Sequence, residues 1–388
     1  MAPFMAPANI ALGLCLAATV VWRLQARAAG EPFFTPFRRT TPVHLPIGVF
    51  VALSVVSALF STLPSRSLQE LKGFSTFLLV PFAAALLRDE SDVDVTVDLW
   101  RISALIVIGR GFAEMLDGRG GLAERLTGGL SSHMTFSGLL LPFILVLLAR
   151  AAVRGRAAVD RLTDGAIAAV GIAALVMTLT RSAWLGFGFG LAALFLASRP
   201  RLLILVPVLA GALVAAGPEA VTRRALSMFD RSDATARDRI VMWEAGVAMV
   251  RDHPLTGVGP GRVKELYPEY RRPGFVEPRP GHLHNNLIMI AAETGLPSLA
   301  AYLWFLVAFV RGAAPLARGP WSRVRAVARG AVAATAALFV AGLFEYNFGD
   351  VEILRVTLLL SVFPFLAFYD VAVARGVPDA PLEAGGVS

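Results

Sequence analysis

LSSHMTFSGLLLPFILVLLA, residues 130–149, runs for twenty residues without an Asp, Glu, Lys or Arg. A helix crossing the hydrocarbon core of a bilayer takes about 20 apolar residues, and lipid offers no partners to backbone N–H and C=O groups, so such a run must bond internally as a helix. Runs of similar length recur near 3–22, 46–64, 71–88, 95–115, 163–180, 183–198, 201–217, 286–310, 327–345 and 355–374. The chain of 388 residues is 56% hydrophobic and only 16% charged. These features predict an all-α integral membrane protein with about 11–12 transmembrane helices and one larger external loop containing short helices. The run at 95–115 holds Arg101 and Arg110 near its ends and needs a tilt or burial among neighbours. The first run has no basic leader and no clear small-residue cleavage site, so it reads as a retained helix.

Basic residues in the short loops number eighteen on one side of this arrangement and seven on the other. The richer side faces the cytoplasm, which puts residues 218–285 outside. The expected organisation is therefore helices over 1–217, an external loop over 218–285, helices over 286–375 and a polar tail over 376–388. The pI near 10.4 comes mostly from arginine; topology and anionic headgroups of membrane lipids account for it, and nucleic acid is not an expected partner. The lone Cys15 excludes a disulfide framework or a cysteine metal site.

Within 218–285, Thr235 to Asp252 reads as a helix, with Ile240, Trp243, Val247 and Val250 marking one apolar face and Arg239 one turn before Trp243. Such a helix is expected along the membrane surface. Pro254 ends it, and PLTGVGPGR, residues 254–262, makes a tight, mobile loop. Neither a preceding strand nor a lysine–serine pair accompanies these glycines, which excludes the dinucleotide and phosphate-loop readings. RRPGFVEPRPG, residues 271–281, is a proline-broken connector that leads into HLHNNLIMIAAETG, residues 282–295. There His282 and His284 stand at the mouth of an apolar stretch, where a histidine works as a general base near neutral pH. Asn285 is placed to hold an imidazole or bind sugar hydroxyls. Glu293, about three turns deeper, needs an arginine or a backbone donor. Arg181, at the external turn of TLTRSAWLGFGFG (178–190), is one candidate partner, and its fork of donors suits phosphate. Arg181, Arg239 and His284 are expected to converge on one anion. Plainer readings stand beside these: arginines as headgroup anchors, histidines as interfacial residues, Trp184, Trp243 and Tyr267 as belt aromatics, and His133 and the Arg110 with Glu114 pair as structural.

TLTRSAWLGFGFG, DRIVMWEAGVAMVRDHPLTGVGPGR (238–262) and HLHNNLIMIAAETG, in that order over roughly 178–298, resemble the O-antigen ligase and O-antigen polymerase superfamily of bacterial envelope proteins. The resemblance implies a multispanning inner-membrane glycosyltransferase, with its active site on the periplasmic side. It would take a glycan from undecaprenyl diphosphate and use neither metal nor nucleotide cofactor. The acceptor would be a lipid A-core sugar in a ligase, or a second glycan-lipid in a polymerase. By position, Arg181 and Arg239 match the family's diphosphate-binding arginines and His284 its catalytic histidine, with His282 a weaker match; Asn285 and Glu293 stand as substrate-binding candidates on the residue reading above. A transporter of the same lipid would instead need polar residues at the midplane of several spans, whereas here they gather at one face.

Overall fold

The computed structural model describes residues 40–87, 90–118, 120–121, 124–228, 230, 233–272 and 280–373. The expected span at 3–22, Cys15, most of the 271–281 connector and the tail over 376–388 lie outside them. Within the described residues the regular structure is helical throughout. In chain order the helices are α1 (His44–Leu59), α2 (Pro64–Glu70), α3 (Leu79–Leu86), α4 (Glu90–Leu116), α5 (His133–Ala151), α6 (Ala158–Met177), α7 (Arg181–Ser198), α8 (Leu205–Ala216), α9 (Glu219–Leu226), α10 (Ala234–Asp252), α11 (Val263–Tyr270), α12 (Asn286–Ala317), α13 (Arg323–Gly342) and α14 (Val351–Val373). Short 3-10 segments lead into α3 (Leu71–Leu78) and α8 (Pro200–Ile204).

Helices α5, α7, α12, α13 and the Val351–Phe368 part of α14 are long and apolar enough to cross a membrane, and two shorter apolar stretches are His44–Leu59 and Pro200–Ala216. The all-α membrane fold is thus the observed one. The expected span at 71–88 divides into a 3-10 segment and the short α3, with Pro81 in the first turn of α3, where a missing N–H breaks no intrahelical bond.

Side-chain oxygens set several starting points. Ser132 accepts from the Thr135 N–H to open α5, Asp233 from Ala236 to open α10, Asn285 from Ile288 to open α12, and Ser322 from Arg325 to open α13. Helix α13 packs against α5 and α7 at the centre of the bundle. The α7 face is glycine: a Cβ on Gly186 would stand 2.5 Å from the Ala337 carbonyl oxygen, and one on Gly190 would stand 2.8 Å from the Ala337 methyl. Small residues let the two backbones approach, the usual device where lipid removes the hydrophobic drive between helices.

The bundle has two different ends. At one, where α5 finishes and α6 begins, Asp164 is fully buried among Arg101, Arg150 and Arg156, and Arg150 also reaches Asp98 at 2.6 Å. Removing one partner of such a cluster strands the others. Asp164→Ala is therefore expected to cost about 3–5 kcal/mol, seen as an earlier thermal transition of the purified protein; an unchanged transition would show that the cluster contributes nothing to stability. The other end, where α5, α7 and α12 begin and α13 finishes, carries the residues considered next.

Candidate functional site

The site is built from two backbone turns in the left-handed region, which non-glycine residues seldom adopt and which often marks function. Among the described residues, the non-glycine positions with positive φ are Leu179 and His284, both at 50°. The first turn delivers Arg181 at the start of α7. Its two terminal nitrogens bond the two carboxylate oxygens of Asp233 at 3.1 and 3.0 Å, and Nη1 also donates to the Ser227 carbonyl at 2.9 Å. Asp233 is the cap of α10, so this fork fixes the helix that carries Arg239. The hydrogen bond from Arg181 outweighs burial and holds the Asp233 carboxyl below its ordinary range.

The second turn brings His282 and His284 together, with ring centroids 4.3 Å apart. The His284 N–H donates to His282 Nδ1 at 3.3 Å, so the neutral His282 ring carries its proton on Nε2, which stands 3.5 Å from Glu345 Oε1. His284 Nδ1 lies 3.1 and 3.0 Å from the two Glu345 oxygens. A carboxylate only accepts, so His284 Nδ1 is the protonated nitrogen and Nε2 holds the free lone pair. Arg239 Nη2 approaches the same carboxylate at 3.9 Å. Burial pushes Glu345 upward, but the hydrogen bond from His284, the two imidazoles and the Tyr346 N–H outweigh it and leave the carboxyl below its ordinary value. Burial lowers His282, which favours its neutral form. The Glu345 side chain is 7% exposed and that of His284 22%, so the acid is sealed beneath a base that solvent or substrate can reach.

Of the expected residues, Arg239, His282 and His284 meet around Glu345. Arg181 stands one carboxylate away, bound to Asp233, and its charge is felt at Arg239. Asn285 turns both amide atoms inward: Oδ1 caps α12 and Nδ2 donates to the Leu343 carbonyl at 2.8 Å, tying α12 to the turn that carries Glu345. These two bonds make it a positioning residue at the start of α12. Glu293 does not meet Arg181. Its carboxylate accepts from the Gly261 N–H at 2.8 Å and from Tyr346, while its carbonyl accepts from Gly259 at 2.9 Å and from Ser57 at 3.0 Å.

The 254–262 loop, expected to be mobile, is thereby clamped to α12. Helix α12 itself breaks at Gly295, whose φ of 83° frees the Leu296 N–H to bond the Pro254 carbonyl at 2.9 Å. A Cβ on Gly257, at φ 64°, would stand 2.4 Å from the Glu293 carbonyl carbon, so the loop closes only because that position has no side chain.

One further expectation is corrected, at Tyr267. Helix α10 buries Met242, Ala245 and Met249 within the protein and leaves the face of Ile240, which is 52% exposed, and Val247 turned outward. That outer face instead lines an open cavity of about 650 Å3 with Trp243, Tyr270 and Ile288. Tyr267 is fully buried with Met249 and Val263, so it is a core residue and no belt aromatic.

Residues 166–303 match the family model described as O-Antigen ligase. That match supports the O-antigen ligase and polymerase superfamily over this segment of the chain. The family implies a glycosyltransferase-like enzyme of O-antigen assembly, and with the apolar helices it points to a multi-pass membrane protein acting on lipid-linked glycans. No curated protein matches the chain. Arg181, Arg239, His282 and His284 all lie in the O-antigen ligase segment, but Glu345 lies beyond its end. The one sequence signal for Glu345 is a carboxylate closing the apolar run 327–345, and nothing in that run names its partner. His282, His284 and Glu345 offer three ligand atoms within 4.8 Å of one another, enough to attract a cation. The fit is poor, because the Arg239 guanidinium already faces that carboxylate and a divalent ion would meet its charge.

Proposed function

We propose that the protein is an O-antigen ligase. It transfers a glycan from undecaprenyl diphosphate to a sugar hydroxyl of the lipid A core, at the periplasmic face of the bacterial inner membrane, with residues 218–285 as the periplasmic loop. The observation that carries this reading is the grip of Glu345 on His284 Nδ1, which leaves Nε2 as a base at an exposed edge. The acceptor hydroxyl gives its proton to Nε2 as its oxygen attacks the anomeric carbon. The bond from that carbon to the diphosphate breaks, and its electron pair leaves on the diphosphate oxygen. Attack from the opposite face inverts the anomeric centre. Glu345 steadies the imidazolium as it forms, and Arg239, with Arg181 behind it, meets the charge growing on the leaving group. The arginines thus supply the positive charge that a divalent ion supplies in other transferases.

The test incubates purified protein with a lipid-diphosphate glycan and either lipid A core or a second glycan-lipid. Glycosylated core supports the ligase; elongation of the glycan-lipid alone would assign a polymerase. Arg239→Ala is expected to lower transfer about 10²- to 10³-fold, the loss typical of one charge-stabilising donor. Transfer at the wild-type rate by the folded variant would remove Arg239 from the site.

A further inference from the structure

Arg125 and Arg224 have no role in the site described so far, yet both stand beside it. Arg125 lies in the loop between α4 and α5, which Glu114 holds in place: its carboxylate accepts from Thr127 N–H at 3.0 Å, from Thr127 Oγ1 at 2.8 Å and from Gly129 N–H at 2.6 Å. Gly128 and Gly129, at φ 62° and 71°, allow that turn. Arg125 Nη1 is 2.7 Å from His133 Nε2. A guanidinium only donates, so this imidazole accepts and is neutral. Arg224 Nε donates to the Leu179 carbonyl at 3.2 Å, two residues before Arg181.

The charges of Arg125, Arg181, Arg224 and Arg239 act on one another across this space. Burial first, and then Arg181 and Arg125, lower Arg224 to about 10. Asp233 takes both terminal nitrogens of Arg181, and Arg239 faces Glu345. The hydrogen-bond partners of Arg125 and Arg224 are instead neutral, an imidazole and a carbonyl. Four guanidinium groups around two carboxylates leave an excess of two positive charges. An entering anion relieves their repulsion, and the starts of α5 and α7 add positive ends of helix dipoles on the same side.

We infer that Arg125 and Arg224 form a second phosphate subsite, taking the prenyl-linked phosphate of a lipid diphosphate while Arg239, beside His284, faces the sugar-linked one. This rests on the donor proposed above. Its charge arithmetic closes: a diphosphate esterified at both ends carries two negative charges, matching the excess. When the sugar departs, a third negative charge appears on the leaving oxygen as His284 gains the acceptor's proton. The pocket therefore stays balanced before and after transfer.

Farnesyl diphosphate and a sugar-linked monophosphate, glucose 1-phosphate, titrated into the full-length protein in lipid nanodiscs, test the assignment. The wild type is expected to prefer the diphosphate. Arg125→Gln and Arg224→Gln should each weaken diphosphate binding by about 10-fold or more, the scale of one charge-assisted contact. Binding of the sugar-linked monophosphate should change less than about 2-fold, since its phosphate occupies the Arg239 subsite alone. Equal losses for both ligands, or none, would overturn the subsite. Should a glutamine variant fail to fold, Arg125→Lys and Arg224→Lys keep the charge and lose the fork; reduced preference for the diphosphate supports the assignment and unchanged preference overturns it. Selectivity that depends on these arginines in a protein that transfers no glycan would keep this inference and remove the ligase reading. Glycan transfer with selectivity untouched by either variant would do the reverse.

Discussion

His284→Ala is expected to lower glycan transfer about 10²- to 10⁴-fold, the range a positioned general base supplies, while binding of the lipid diphosphate donor changes little. The asymmetry follows from the geometry. Nδ1 is bound to Glu345, so the imidazole contributes its Nε2 lone pair to the reaction and is not required to hold the donor. In the proposed mechanism the donor's charges are met by arginines on α7 and α10. Were His284 an ordinary interfacial residue, its removal would change neither quantity. Transfer within a few-fold of wild type, by protein that stays monodisperse in detergent, would therefore end its assignment as the base. The backbone there tolerates the change only at a cost, since φ is 50° for whichever residue stands at 284. His284→Gln keeps a polar side chain at the same strained position, and the same loss in both variants would attribute the effect to the imidazole.

The second large effect is expected at Glu345, which acts through its neighbours and is a positioning residue. Glu345→Gln preserves shape and removes the negative charge that three cationic or proton-bearing groups share: His284 at 3.0 Å, His282 at 3.5 Å and Arg239 at 3.9 Å. A glutamine can present its NH2 to His284 Nδ1, which favours the tautomer with the proton on Nε2 and leaves no base. The imidazolium also loses its counter-charge during transfer. A fall in kcat on the order of 10³- to 10⁴-fold is expected, as for other acid-supported histidines. The KM for the donor should not rise, because Arg239 is released from the carboxylate and remains available to phosphate. Partial recovery in Glu345→Asp would separate lost charge from lost packing. A raised KM with an unchanged kcat would make Glu345 part of the donor pocket and leave His284 without a supporting acid.

Much of this was legible in the chain before any coordinates. Uncharged or nearly uncharged runs of membrane-spanning length forecast the helices over 133–151, 181–198, 286–317, 323–342 and 351–368, because hydrocarbon permits a backbone little else. Thr235 to Asp252 read as a helix and is one, from Ala234 to Asp252. Its packed face was not legible. Apolar residues recur at three- and four-residue spacing on two of its sides, and only the shapes of α11 and α12 select Met242, Ala245 and Met249 over Ile240 and Val247.

The site divides the same way. Residue chemistry put Arg181, Arg239, His282 and His284 forward as candidates beside plainer readings as headgroup anchors and interfacial residues, and the resemblance, not their spacing, suggested their roles. Pairing belonged to the tertiary structure. Which carboxylate serves which cation depends on distances of 3 to 4 Å between segments far apart in the chain. Periodicity along a helix reports the facing of its own residues and is silent about what another helix brings. Hence Asp233 came to Arg181, Glu345 came to His284 from 61 residues away, and Glu293, the acid that looked most like a partner, was taken by the backbone of a glycine loop.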